Sequence, residues 1–354
     1  MTKPQSGLLP RADFRTIVIG AIVLAILIAG RTFLIPLAIA LVVWNLLEAI
    51  IAGFTRIKIG RRNVPRWVGV IFSIGLVILV CIAVSVILAN QASAISATGP
   101  KYIERLESLF TRGIAFVGAD VAAKVRTALN GLNLTATISG LVGSAGSFLT
   151  NMMLVTLYVA FLLAEQHTVS RKLAALFPRK ADEEEMQTLF SQVSEGIRHY
   201  MWIKTIMSLL TGATSYAILK MVGVDFAETF ALIIFLLNFI PSIGSALGVI
   251  FPALLALVQF DTLGPMLLLI TLLGGTQFLI GNVIEPMFTG RSLNLSAFVI
   301  ILCLTFWGAI WGVVGMVLSV PITVMIMIVC AYVPSWRWVA VLLSTDGQVT
   351  AIKN

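Results

Sequence analysis

Apolar runs over about 16–30, 33–54, 67–89, 141–164, 201–222, 229–259, 263–284 and 297–333 fix the solvent of this chain before any other feature is read. A helix needs roughly 20 apolar residues to cross a hydrocarbon layer about 30 Å thick, and several of these runs reach or exceed that length. With 59% hydrophobic and 11% charged residues among 354, the chain carries more apolar surface than a water-soluble core hides. Lipid offers no hydrogen bonds to backbone groups, so each crossing must close its own ladder as a helix. The expected fold is all-α: a polytopic transmembrane helical protein with broken or re-entrant helices in its C-terminal half.

Charge sets the orientation. Arg56, Lys58, Arg61, Arg62 and Arg66 crowd one short loop, and such clusters stay on the cytoplasmic side. The N-terminus is then cytoplasmic, and parity returns the C-terminus there too. Lys3, Arg11 and Arg15 before Ile17–Ala29 resemble a signal peptide, but no small-residue cleavage site follows, so a retained first span is expected. The net charge of +8 is explained by basic residues at the ends of runs, and no nucleic-acid partner is expected. Cys81, Cys303 and Cys330 lie in apolar runs without paired spacing and read as small hydrophobes.

The expected organisation is three N-terminal spans over 1–90, then an extracytoplasmic amphipathic region over 91–140 carrying Tyr102, Ile103, Leu106, Leu109 and Phe110 at helical spacing. A fourth span over 141–165 opens on the small-residue stretch SGLVGSAGS. A cytoplasmic amphipathic linker covers 166–200, with Asp182–Glu185 at a helix start. A C-terminal core with broken helices covers 201–333, and a cytoplasmic tail 334–354.

Two interruptions mark that core. Asn238, Pro241, Ser242 and Gly244 break the run over 229–259, and Gly308, Gly312, Gly315 and Pro321 punctuate a run of nearly 40 residues that reads as a hairpin or a bent pair of half-spans near Gly312 or Gly315. Interrupted helices expose backbone groups that secondary transporters use to hold polar solutes, and the two breaks are expected to meet as corresponding halves of one route. Between them, GNVIEPMFTGR supplies Asn282, Glu285, Pro286 and Arg291. Glu285 either faces a cavity or partner, Arg291 among the candidates, or sits hydrated at the membrane interface.

Catalysis finds no support: no HExxH, no P-loop, no GxSxG with partners, and two histidines, His167 and His199, both in the linker region. No cofactor or metal is expected. The partners are the bilayer and a small polar solute or monovalent cation. A neutral solute would use Asn238, Ser242, Ser245, Thr276, Gln277, Asn282 and Thr289; a cation exchanger would need a titratable carboxylate, with Glu285 first and Asp225 next.

The run NFIPSIGSALGVIFPALLAL followed by GNVIEPMFTGRSLNLSAFVIILCLTFWGAIWGVVGMVLSVPIT resembles the signature of the autoinducer-2 exporter family of bacterial membrane proteins. Asn238, Ile240, Pro241, Ile243, Gly244 and Pro252 match its first motif, and Asn282, Glu285, Pro286, Gly290, Leu293, Leu295, Gly308, Gly312, Gly315, Ser319, Val320 and Pro321 its second. Ser245 departs from the Pro or Asn that many relatives carry there. The resemblance implies an inner-membrane transporter, assembled as a homo-oligomer, exporting a small polar signal such as autoinducer-2. Exchange of sodium or lithium for protons is the alternative within the family. A passive channel or a non-transporting membrane scaffold is the alternative outside it.

Overall fold

The computed structural model describes residues 14–56, 58–59, 62–117, 150–165, 180–289, 294–333 and 336–347. Arg291, the small-residue stretch at 139–147, residues 166–179 of the expected linker and the far end of the 91–140 region lie outside them. Among the described residues the regular structure is helical, apart from a short antiparallel ribbon in the basic loop, β1 (Lys58–Ile59) with β2 (Arg62–Asn63).

Among the described residues, five helical segments are long and apolar enough to cross a membrane: Arg31–Thr55, Arg66–Gln91, Ser191–Val222, Gly264–Phe288 and Ala297–Tyr332. Large apolar side chains such as Ile71, Leu79, Met153, Phe161 and Phe298 are exposed on the helices, as a lipid solvent permits. The cysteines are free.

Two helices run through the boundaries expected from polarity. Helix α3 (Arg66–Val117) is continuous for 52 residues, about 78 Å at 1.5 Å per residue, so its second half extends well past its membrane span. The change from apolar to polar near Asn90–Gln91 does not end the helix, because polarity alone does not, and the backbone stays helical through Gly99 and Pro100 as well. For the same reason the linker and the fifth span form one helix, α5 (Lys180–Val222). Helix α4 (Thr150–Glu165) covers the described part of the fourth span.

The chain divides into two compact units, and α2 (Arg31–Arg56), α4 and α5 run from one into the other. In the first unit, α1 (Phe14–Ala29) meets α2 at Gly30, where a Cβ would lie 2.8 Å from the Ile26 carbonyl oxygen. Helix α10 (Ala297–Tyr332) changes direction at Gly312, with φ 62° and ψ −145°, a conformation open in practice only to glycine. The halves fold back on each other: a Cβ at Gly315 would collide with the Trp307 carbonyl, and one at Gly308 would lie 2.9 Å from Met316 Cε. Residues eight apart along a straight helix lie about 12 Å apart along its axis and never approach so closely, so the hairpin reading of this segment holds.

At the base of that hairpin, the short helix α11 (Arg337–Leu343) is tied to the start of α10 by Ser296 N–H to Leu343 O at 3.0 Å and Thr345 N–H to Asn294 O at 3.1 Å. At the bend, Trp307, Trp311 and Leu318 pack with Leu27, Leu34, Ile35 and Ile39. Trp311 Nε1–H donates to Leu27 O at 3.0 Å, satisfying a carbonyl in the last turn of α1.

The second unit is built on the C-terminal half of α5. Gly223 ends that helix with φ 80°, and α6 (Ala227–Leu237), α7 (Ile243–Gln259) and α8 (Gly264–Leu279) follow. Ile218, Leu219, Ile234, Ala256, Leu269 and Leu273 form their common core. At about 16 Å and 25 Å, α6 and α7 are each too short to cross the bilayer, and they pair as a hairpin.

Candidate functional site

The α6–α7 bend is made by the residues that interrupt the apolar run. Pro241 O accepts from Ile243 N–H at 2.6 Å, closing a γ-turn around Ser242, whose φ of 61° and ψ of −45° belong to the strained form of that turn. Such a backbone costs about 1–3 kcal/mol and must be held by its surroundings. Gly244 does part of the holding: it is buried against the Leu237 carbonyl, where any Cβ would collide. Asn238, also buried, ends α6 and donates its amide Nδ2–H to Ser208 Oγ at 3.0 Å.

Ser208 belongs to a row. Lys204, Ser208, Thr211 and Ser215 recur at spacings of four, three and four, so they occupy one face of α5, and all four are buried. Gly212, on the same face, lets α6 approach until a Cβ there would meet Phe235 Cβ at 3.1 Å and Ala231 O at 3.4 Å. Thr211 Oγ1 donates to Met207 O at 2.8 Å, whereas Ser215 Oγ is buried with no hydrogen-bond partner. Within this membrane-length segment, the four buried residues make a polar seam about 16 Å long from Lys204 to Ser215.

The seam ends in an ion pair. Lys204 Nζ lies 2.6 Å from Glu285 Oε1, with the two side chains 7% and 20% exposed. The π turn Ile280–Ile284 delivers Glu285 there, and Pro286 explains the turn. Within a regular helix the Pro286 ring would clash with the carbonyl four residues back; in the widened turn Glu285 N–H bonds instead to Ile280 O, five residues back. Asn282 Nδ2–H donates to Phe278 O at 3.3 Å, adding a donor where the ladder widens. Helix α9 (Glu285–Thr289) then resumes. Asn282, Glu285 and Pro286 thus form one local device that aims a carboxylate at α5.

Glu285 therefore has a partner inside the protein, and that partner is Lys204. Among the expected path residues, Asn238, Pro241, Ser242 and Gly244 come together at one bend, Glu285 stands at the foot of the polar seam, and Gly308, Gly312 and Gly315 build the other hairpin, in which Pro321 is buried. The two bends belong to different compact units. Gln277 is buried with its Nε2 3.0 Å from where a Gly248 Cβ would sit. Sequence reading passed over Lys204, Ser208, Thr211 and Ser215. Their four-three-four spacing inside an apolar span was the available signal.

Residues 17–335 match the profile of the AI-2E family transporters. The chain belongs to that family. It is 29% identical over 333 residues to the AI-2 transport protein TqsA of Escherichia coli, covering 91% of this chain and 93% of the relative. It is also 33% identical over 231 residues to a "Putative transport protein" of Borreliella burgdorferi, covering 63% of each chain, and 24% identical to the "Putative permease PerM" of Escherichia coli over 92% of this chain and 93% of the relative. The interrupted helices of this AI-2E protein, its membrane-length spans and its buried polar seam are consistent with a transport role. Among the described residues no group of His, Cys, Asp and Glu is arranged to hold a metal ion.

Proposed function

We propose that the protein is a secondary transporter that exports a small, neutral, hydroxyl-rich solute of the autoinducer-2 kind across the bacterial inner membrane. The observation that carries this reading is the seam on α5, where hydroxyls and an amide line a buried face and the one acid at its foot is compensated by Lys204. A neutral polyol exchanges hydrogen bonds with such groups. A cation would have to displace the Lys204 ammonium first, which weighs against the exchange of sodium or lithium for protons. The name of the relative TqsA supports the same substrate class.

In this reading the route follows the α5 seam past the bend at Asn238, Pro241, Ser242 and Gly244, with Asn282, Glu285 and Arg291 setting its polarity at one end. The α10 bend at Gly308, Gly312 and Gly315, with Pro321 beyond it, is the second flexible element. The basic loop at Arg56–Arg66 keeps both termini cytoplasmic, and the assembly is a homo-oligomer. Flux of labelled autoinducer-2 into reconstituted vesicles, set beside sodium-driven proton movement under imposed gradients, tests the proposal. Autoinducer-2 uptake that requires protein and a gradient supports it. Cation exchange without autoinducer-2 movement replaces it with the antiporter, gradient-independent leak with a channel, and no movement of either with a scaffold.

A further inference from the structure

Within the second unit, to which α3 belongs, the part of α3 beyond its span meets the ends of α6 and α7 through three polar residues. Tyr102 donates its hydroxyl to Asp225 and packs edge-on against Phe226, ring centroids 6.2 Å apart, in the loop between α5 and α6. Arg105 forms an ion pair with Asp261, in the loop between α7 and α8. Gln91 Nε2 reaches Glu228 at 3.5 Å, in the first turn of α6. One helix therefore holds both ends of the α6–α7 hairpin at the side opposite its bend.

Those two ends are already joined. Gln259, the last residue of α7, accepts from Asp225 N–H at 2.9 Å and donates Nε2–H to Gly223 O at 2.8 Å. Lys220 adds an ion pair to Glu228 at 2.6 Å. The open end of the hairpin is closed by Gln259 into one body, and α3 grips that body from outside.

The grip is of a reversible kind. Arg105 and Asp261 are 37% and 84% exposed, and pairs so accessible to water are weak and sensitive to salt. The bend at the other end, by contrast, is held by buried contacts at Asn238, Ser208 and Gly244.

We infer that the extension of α3 is a releasable brace on the α6–α7 hairpin, with Tyr102 and Arg105 as positioning residues whose detachment from Asp225 and Asp261 lets the hairpin move during transport. This rests on the reading that the hairpin borders the solute route. The test replaces the native cysteines by alanine, introduces Arg105→Cys with Asp261→Cys, and bridges the two thiols with a short bis-methanethiosulfonate linker that reductant removes.

Bridging is expected to lower vesicle flux of autoinducer-2 at least tenfold, with recovery on reduction, and to slow amide exchange over 227–260. Conversely, Tyr102→Phe with Arg105→Ala is expected to speed exchange over 227–260 several-fold while leaving 297–332 unchanged. Bridged protein with flux and exchange both within twofold of the reduced form overturns the brace, as does failure of the two thiols to bridge in folded protein. If the unbridged protein moves no autoinducer-2, the transport reading fails by itself and the exchange measurements decide the brace alone.

Discussion

Lys204 and Glu285, 81 residues apart in the chain, meet at 2.6 Å inside helical segments of membrane-span character. Removing either partner leaves an uncompensated charge away from water, which costs about 3–5 kcal/mol, whereas replacing both removes the problem along with the pair. Lys204→Met and Glu285→Gln are each expected to lower stability by about that amount, and the double variant by clearly less than the sum. Thermal unfolding in detergent, read as a double-mutant cycle, checks this. Additive losses would mean that the pair carries no coupling.

Pro286 is the cause of the π turn and Glu285 its beneficiary. Pro286→Ala permits a regular helix, which turns the carboxylate away from α5. The variant is expected to reduce the coupling between Lys204 and Glu285 in the same cycle, although alanine is by itself the better helix former. Unchanged coupling would detach the π turn from the ion pair.

Ser242 occupies a left-handed backbone position with no side-chain reason to do so beyond the bend itself. Ser242→Gly relieves the strain and is expected to raise stability by about 1 kcal/mol. Scanning calorimetry or chemical unfolding reads the change, and destabilisation would contradict the γ-turn account.

Glycines divide by what surrounds them. Gly244→Ala and Gly315→Ala place a methyl on a backbone carbonyl that cannot step aside, and are expected to exceed the 1–3 kcal/mol typical of overpacking. Gly274→Ala, with open space around it, is expected to be tolerated. Yield of monodisperse protein on size exclusion separates the two groups.

The Tyr102 phenol titrates well above its ordinary value because burial disfavours the phenolate and Asp225 both accepts its hydrogen bond and repels the charge. With the folded value raised, the stabilisation is fully present below the ordinary tyrosine range near 10 and is lost as pH climbs through the folded value. A pH titration of stability is therefore expected to show parent protein losing ground to Tyr102→Phe only above about pH 10. A loss beginning near neutrality would exclude the Asp225 contact.

Much of this was legible in the sequence because backbone breakers act locally. Asn238, Pro241 and Gly244, close together in one apolar run, mark the bend between α6 and α7, whereas single prolines such as Pro36, Pro252 and Pro321 lie inside helices; Gly312 marks the turn of the 36-residue run. The ion pair was not legible. Nothing in the vicinity of Glu285 names Lys204, and Arg291 is closer in the chain; only the laying of α5 beside the π turn brings the two charges together. The length of α3 was hidden for a related reason, since hydropathy reports where lipid ends and is silent on whether the helix does.

Each of the two hairpins seats a glycine on a main-chain oxygen, Gly244 on Leu237 and Gly315 on Trp307. Atoms common to every amino acid make those seats, so neither apex can be reshaped by exchanging one side chain for a larger one. Side-chain chemistry can be varied instead on the adjoining face of α5, where Ser208, Thr211 and Ser215 sit along one continuous helix.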